Sequence, residues 1–473
     1  MAFFGRRMIF ASVDEITRAN VVDVLTSAMT VHCQNRAEIQ YLWDYYRGNQ
    51  PILYRIKIIR PEINNLIVKN IANEIVSFKT GYLMGEPVAY VSRGDGEAVN
   101  SAINKLNEYT MAEEKASKDK ELADWMHICG TGFRIVLPDS EEMDDAPFEM
   151  YTLDPRNTFV IYSKSLGNKP IMGVRYVYDN EGKAHYSCYT KDRYFEIIEL
   201  TGIIDERPHI LGGVPIVEYP LNLARMGAFE VVISLLDAIN KTESDRENGV
   251  EGFVQSLMRF HNVDISSEDY EKLKSEGAIK YKDIEPNMKA TVDYITNELK
   301  QGETQTLVDD LYESVLTICG MPNRNTGNGD NGIAVVYRDG WSAAETRAKD
   351  TEMMFKKSER SMLRILLNIV NTYDNSVSLK VNNIEIRFTR RNYENIWQKA
   401  QVLDLMLKNG QIDPKLAFQH CGMFADPDLA YTQSVEYVEK MSEGVDDESD
   451  IDGRDNSGTG SDTPQGISSG TEN

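Results

Sequence analysis

The chain has no Cys-x-x-Cys pair and no His-Glu-x-x-His motif, and its five cysteines, Cys33, Cys129, Cys188, Cys319 and Cys421, are an odd number. Scattered thiols of this kind predict free, mostly buried cysteines in a reducing compartment rather than a disulfide framework. The six histidines are equally dispersed. His32–Cys33, His127–Cys129 and His420–Cys421 lack a third ligand at metal-binding spacing, so no zinc site is expected. No apolar run approaches the roughly 20 residues that span a bilayer, which argues against a membrane partner. The N-terminal MAFFGRRMIF places its arginine pair after its apolar residues and has no long apolar core, unlike a secretory signal. Basic charge is in deficit as well, with 51 Lys+Arg against 74 Asp+Glu and a net charge of −23. That balance excludes a protein that grips nucleic acid through its overall charge, but not one past which nucleic acid slides.

Nucleotide and catalytic motifs are missing or misplaced. There is no GxxxxGK[ST]. Residues 327–332, GNGDNG, match GxGxxG but do not follow a strand or open a helix. Residues 466–470, GISSG, match a nucleophile elbow but lie in a Gly/Ser-rich acidic tail. No catalytic residue and no cofactor is expected.

What is present is a chain of 473 residues, 41% hydrophobic and 26% charged, long enough for two to four globular domains. Helical periodicity covers 12–46, 60–80 (Ile63, Leu66, Ile67, Ile71, Ile75 and Phe78 recur at three- and four-residue steps) and 97–128. From 130 to 219 the period changes to that of an antiparallel meander with tight turns. Residues 226–262 read as one long helix with apolar ends and a polar waist, Asn240 to Asn248. Such a waist is out of place in a core and suits a helix that shows this band to solvent or to neighbours. Residues 264–300 read as a small module, opened by a capping box at Ser266 and carrying strands near Ile279–Tyr281 and Thr291–Ile295. Residues 303–319 return to helix, with Leu307, Leu311, Val315 and Ile318 on one face and Asp309, Asp310 and Glu313 on another. Residues 323–340 are a loop rich in Asn and Gly. A long helix runs from about Trp341, with a capping box at Ser342, to about Tyr373. Residues 379–388 suggest a hairpin about Asn382-Asn383. Residues 345–391 carry ten Lys+Arg against six Asp+Glu, for which i,i+4 salt bridges are the simplest reading. Residues 393–441 are helical, split by Gly410, Pro414 and Pro427. The 31 residues from Glu443 hold nine Asp+Glu and one Arg, a disordered composition.

Several stretches carry a resemblance. YYRGNQPILYR (45–55) and RPEINNLIVKNIANEIVSFKTGYLMGEPV (60–88) are similar to the opening of phage portal proteins of the SPP1 type. The similarity continues through GAFEVVISLLDAINKTESDRENGVEGF (227–253), EGAIKY (276–281) and NGIAVVYRDGW (331–341), and spans about 35–440. Where such proteins tend to carry a KYK-like stretch, this chain has Tyr337-Arg338-Asp339-Gly340.

The resemblance implies an α+β, mainly α portal fold with long stem helices, a β-rich wing insert, a small α/β clip and a helical crown. It divides the chain into a wing (20–225 and 341–392), stem helices (226–263 and 303–322), a clip (264–302), a tunnel loop (323–340), a crown (393–441) and a disordered acidic tail (442–473). It implies a virion protein assembled in the host cytoplasm, a self-associated ring, usually of about twelve subunits, at one capsid vertex. Double-stranded DNA passes through its axis during packaging and ejection. The implied partners are the large terminase, a head-completion adaptor, and the major capsid and scaffolding proteins. On this map Asn325, Asn328, Asp330, Asn331, Val335, Tyr337 and Arg338 belong to the DNA-facing loop. Asp309, Asp310 and Glu313 face the channel, where acidic charge keeps the duplex off the wall. Lys280, Lys282 and Asp283 are candidates for the docking tip. The competing readings are a Mg²⁺-dependent nucleic-acid enzyme or minor head protein, and a monomeric binding protein.

Overall fold

A computed structural model describes residues 5–93, 96–139, 145–254, 257–261, 266–268, 271, 291–295, 301–323, 340–373, 378–390, 396–424 and 427–446. The chain divides into two compact units, residues 1–391 and 392–473.

In the first unit a short strand β1 (Ile9–Phe10) leads to α1 (Val21–Tyr46), α2 (Ile71–Leu83), β2 (Ala89–Ser92), α3 (Glu97–Ala112) and α4 (Lys115–Cys129). Eight strands follow: β3 (Thr131–Pro138), β4 (Phe148–Leu153), β5 (Thr158–Tyr162), β6 (Pro170–Tyr178), β7 (Ala184–Tyr189), β8 (Arg193–Ile198), β9 (Gly202–Pro208) and β10 (Ile216–Pro220). They build a six-stranded sheet in the order β1-β5-β6-β7-β8-β9 and a three-stranded sheet β10-β3-β4. Strands β6 to β9 pair antiparallel in sequence order, the meander that the alternating pattern predicts. Only β1 runs parallel to its neighbour. Helix α1 lays Val21, Leu25 and Ala28 on Phe159, Met172, Val174 and Phe195 of the larger sheet.

Next come α5 (Ile233–Val254), β11 (Leu257–His261), β12 (Thr291–Ile295), α6 (Gln301–Cys319), α7 (Trp341–Tyr373) and β13 (Ile384–Arg387). Several sequence expectations are corrected here. Helix α1 starts at Val21, not at 12. The helix expected over 97–128 is two, broken at Glu114, which takes a left-handed conformation. The break turns the Glu113 carboxylate to the amide of Met150 (2.9 Å) and to Lys118 (3.0 Å). The hairpin expected at 379–388 does not form. Residues 381–383 make a 3-10 turn, and β13 pairs with the distant β2. Helix α7 begins at Trp341 itself, and Glu345 bonds Tyr82 and Arg390 instead of closing a capping box. The basic surplus of α7 is met by carboxylates: Lys349–Glu345 (3.5 Å), Lys356–Glu352 (2.5 Å), and Arg390 bridging Glu345 and Glu352.

The long apolar half of α7 packs with α3, α4, β3, β4 and β10 around Phe148, Tyr219, Phe355, Met362 and Leu366. Within this core sit four fully buried charges. Glu359 of α7 accepts from Tyr90 and Tyr219 (2.6 Å each) and pairs with Lys115 (2.9 Å). Asp119 pairs with Lys115 (2.6 Å) and with Arg134 (2.7 Å). Burial alone pushes the Glu359 carboxyl up, but Lys115 and Arg134 outweigh it and hold it well below the usual carboxylate range.

The second unit holds α8 (Ile396–Lys408), α9 (Pro414–Cys421) and α10 (Pro427–Asp446). Asp413 caps α9 through the amide of Lys415 (2.9 Å), with Pro414 in the first turn. The breaks at Gly410, Pro414 and Pro427 fall where the sequence puts them. Helix α10 continues through Asp446, past the expected end at 441.

His32 and His127 are buried, and desolvation lowers them to about 4 and about 3. The unfolded chain therefore takes up protons below about pH 6.5 that the folded chain refuses, so stability falls as pH drops through that window. By about pH 5 the expected loss is ~2 kcal/mol per imidazole. Glu359, with its depressed carboxyl, adds a further loss below about pH 4.5. Thermal denaturation followed across this range should show a midpoint that declines steadily. A midpoint that holds between neutral pH and about pH 5 would contradict the burial of these imidazoles.

Candidate functional site

The site is built on the antiparallel helices α5 and α6. Leu236 and Ile239 of α5, with Phe229 and Val232 of the turn before it, meet Val308, Val315, Leu316 and Cys319 of α6, with Tyr45, Ile75 and Trp125 in the same core. Arg246 joins their other ends, donating to Gln301 and Gln305 (2.7 Å each). The N-terminal segment fixes the base, where buried Arg6 pairs with Glu38 (3.1 Å) and Glu230.

The polar waist of α5 meets solvent on one face, through Lys241, Asp245 and Glu247, and is covered on the other. Asn240, Ser244 and Asn248 lie on the covered face and are buried. They accept from the backbone amides of Lys69 (2.8 Å), Ile67 (2.9 Å) and Asn65 (2.7 Å). Four helical residues rise about 6 Å, and two extended residues about 6.6 Å. Every fourth side chain of the helix therefore meets every second amide of a strand laid along it. Residues 60–62 are a turn and 63–70 are non-helical, and the helix expected over 60–80 begins only at Ile71. Asn240 also donates to Gln50, whose amide reaches the carbonyl of Tyr45 (3.1 Å) and Asn70 (3.1 Å). The helix expected to run to 262 ends at Val254. Residues Leu257–His261 are instead a strand paired antiparallel with Thr291–Ile295. The helix pair thus carries a two-stranded ladder, and Thr291–Ile295 is a strand as the sequence predicts.

At the C-terminus of α6, Lys79 donates to the carbonyl of Cys319 (2.7 Å), a cation placed on the negative helix end. Gly320 takes φ +63°, which lets the amide of Met321 turn back to the carbonyl of Leu316 (2.8 Å). Trp341 opens α7 against Phe78 and Tyr82, with ring centroids 6.1 and 6.0 Å apart. Gly340, just before α7, comes close to the residues that follow α6. A Cβ on Gly340 would lie 3.4 Å from the Met321 carbonyl oxygen and 3.5 Å from Cα of Pro322.

Of the sequence-designated residues, Asp309, Asp310 and Glu313 lie on the exposed side of α6. Asp309 accepts from Gln305 (2.7 Å) and Glu313 from Asn323 (3.5 Å). At about 100° per residue, Asp309 and Glu313 share a stripe, and Asp310 stands further round. On the apolar side, Val308, Val315, Leu316 and Cys319 are buried, with Leu311 and Tyr312 partly so. Leu307 and Ile318, expected on the packed face, are exposed. Asn325, Asn328, Asp330, Asn331, Val335, Tyr337 and Arg338 lie outside the described residues, as do Lys280, Lys282 and Asp283 and the strand expected at 279–281. The ladder of Asn240, Ser244 and Asn248 was not foreseen, although the i, i+4, i+8 spacing of small polar residues is visible in the sequence.

Among the described residues no group of three or more His, Cys, Asp or Glu is placed to hold a metal ion. Among them, no helix is long and apolar enough to cross a membrane. Cys129, Cys188, Cys319 and Cys421 are buried free thiols and Cys33 is exposed.

The described residues thus form a mixed α/β chain built on an antiparallel helix pair that leads into a two-stranded ladder. Residues 29–448 match the family described as phage portal protein, SPP1 Gp6-like. The chain belongs to that family, which makes it a structural component of the phage capsid. No curated protein matches it.

Ser244→Ala removes the acceptor of the Ile67 amide. The expected cost is about 1–2 kcal/mol, felt locally. Hydrogen exchange should show the amides of residues 65–69 opening roughly tenfold faster, with α7 unchanged. Unchanged exchange at Ile67 would mean that the side-chain ladder does not hold the strand.

Proposed function

We propose that this protein forms a ring at one capsid vertex and that its axis is the channel through which double-stranded DNA enters and leaves the head. The observation that carries this reading is the helix pair α5–α6. It leads into a strand ladder where α5 ends, and Gly340 lies against Met321 and Pro322 just past the C-terminus of α6. On this reading α5 and α6 form the stem, 264–302 the clip, 323–340 the tunnel loop, 20–225 with 341–392 the wing, and 393–441 the crown.

Asp309 and Glu313 on the exposed stripe of α6 suit a wall facing a polyanion, because phosphate contacts to a basic wall would release counterions and hold the duplex. Asn325, Asn328, Asp330, Asn331, Val335, Tyr337 and Arg338 offer transient, sequence-independent contacts. ATP hydrolysis belongs to a separate terminase motor that docks at the clip, where Lys280, Lys282 and Asp283 are the candidate contacts. An adaptor takes that place when the head is complete. The chain itself performs no catalysis.

Two experiments test this. Deleting residues 325–331 should leave rings intact in negative-stain images while lowering DNA packaging severalfold. Normal packaging by the deletion variant would remove the loop from the mechanism. Leu311→Asp places a charge against the partly buried seam of α5 and α6, at a cost of about 2–4 kcal/mol. Rings should be lost from this variant, and wild-type rings would count against the stem assignment.

A further inference from the structure

Residues 52–63 run along α5 and expose an unusual concentration of apolar surface. Ile56, Ile58 and Ile59 are 87%, 94% and 81% exposed. They alternate with cations. Arg55 is paired with Asp245 (2.7 Å), and Arg60 is paired with Glu62 (3.1 Å) in a left-handed conformation. Lys57 donates to the carbonyl of Ile63 (2.7 Å), which uses one of its three N–H groups. A contiguous exposed strip of this kind marks an interaction surface.

The same unit carries a matching surface elsewhere. Helix α6 has four acidic residues and no Lys or Arg. Its Leu307 and Ile318 are 49% and 42% exposed. Positions 307, 310, 314 and 318 follow at three- and four-residue steps and share one helix face, so exposed Asp310 stands between the two apolar residues. The strip and this face lie on different flanks of α5. Asp245 holds Arg55 while the next residue, Arg246, holds Gln301 and Gln305 of α6, and successive helical residues point about 100° apart. One chain thus carries two different, complementary surfaces, the requirement for a head-to-tail contact between copies.

We propose that Ile56, Ile58 and Ile59 of one subunit pack on the Leu307–Ile318 face of α6 in a second copy of this chain, with Lys57 meeting Asp310. This assignment rests on the ring reading above. It uses the apolar flank of α6, with Asp310 at its edge about 60° round the helix from both Leu307 and Glu313, and leaves Asp309 on the far side. Lysine at 57 and aspartate at 310 set the register, and like charges at those two positions would repel.

The test uses the full chain in two complementary variants, Ile56→Asp/Ile58→Asp and Leu307→Asp/Ile318→Asp, with far-UV circular dichroism and thermal midpoints to establish folding. If the second variant fails to fold, Leu307→Ser alone replaces it. Light scattering should find each variant monomeric. Mixed together, they retain one intact junction and should give a 1:1 dimer and nothing larger. Lys57→Glu should weaken assembly severalfold, and Lys57→Glu/Asp310→Lys should restore it. A mixture that stays monomeric overturns the proposal, as do rings from the isoleucine variant. Rings from the α6 variant alone overturn the assigned occupant. Wild-type chain that stays monomeric under assembly conditions refutes the ring reading itself, and this contact with it.

Discussion

The amides of Asn65, Ile67 and Lys69 have no sheet to enter, yet they are not left to water. Their acceptors are the side chains of Asn240, Ser244 and Asn248, one per helical turn along α5. A buried amide without a partner costs on the order of 1–3 kcal/mol, so three in a row would not persist unless each was met. The near-equality of the two rises, four helical residues against two extended ones, makes the match possible over three steps. Residues 65–69 are thereby held along α5. The isoleucine strip, Gln50 and the start of α2 are all placed by it.

Charge is handled in opposite ways in the interior and on the surface. Inside the first unit, Lys115, Asp119, Arg134 and Glu359 form a neutral set with two tyrosine hydroxyls, and α4, β3 and α7 are tied at one point. Removing one member would leave an uncompensated charge, which is far more costly than replacing the set with apolar residues. The cluster therefore enforces one arrangement of these elements rather than adding stability. On α6, by contrast, Asp309, Asp310 and Glu313 remain in solvent. In the ring proposed above they face a polyanion and a basic strip.

Much of the organisation was legible in the sequence. The alternation from Gly130 to Tyr219, the apolar face of α7 and the breaks at Gly410, Pro414 and Pro427 are local signals, and the structure follows them. The failures share a cause. Ile63, Leu66, Ile67 and Ile71 have helical spacing, but the side chains of α5 offer acceptors to an extended backbone, and this partner lies about 180 residues away in the chain. Ile384 and Ile386 suggested a local hairpin, and pair instead with β2. Leu257 and Met258 continued an apolar helix pattern until Thr291–Ile295 supplied a strand partner. In each case local periodicity was overruled by a long-range hydrogen-bond partner.

For the site, the sequence by itself determined family, net charge, the acidic helix α6 without a single Lys or Arg, and the Asn/Gly composition of 323–340. These are properties of residue type and order, and no fold is needed to read them. Only the tertiary structure decided which face of each helix is covered. It buried one face of the polar waist of α5, exposed Leu307 and Ile318, and brought Gly340 against Met321 and Pro322. Coverage depends on what lies across from a residue in space, and the chain's own order does not state that until the distant partners have met.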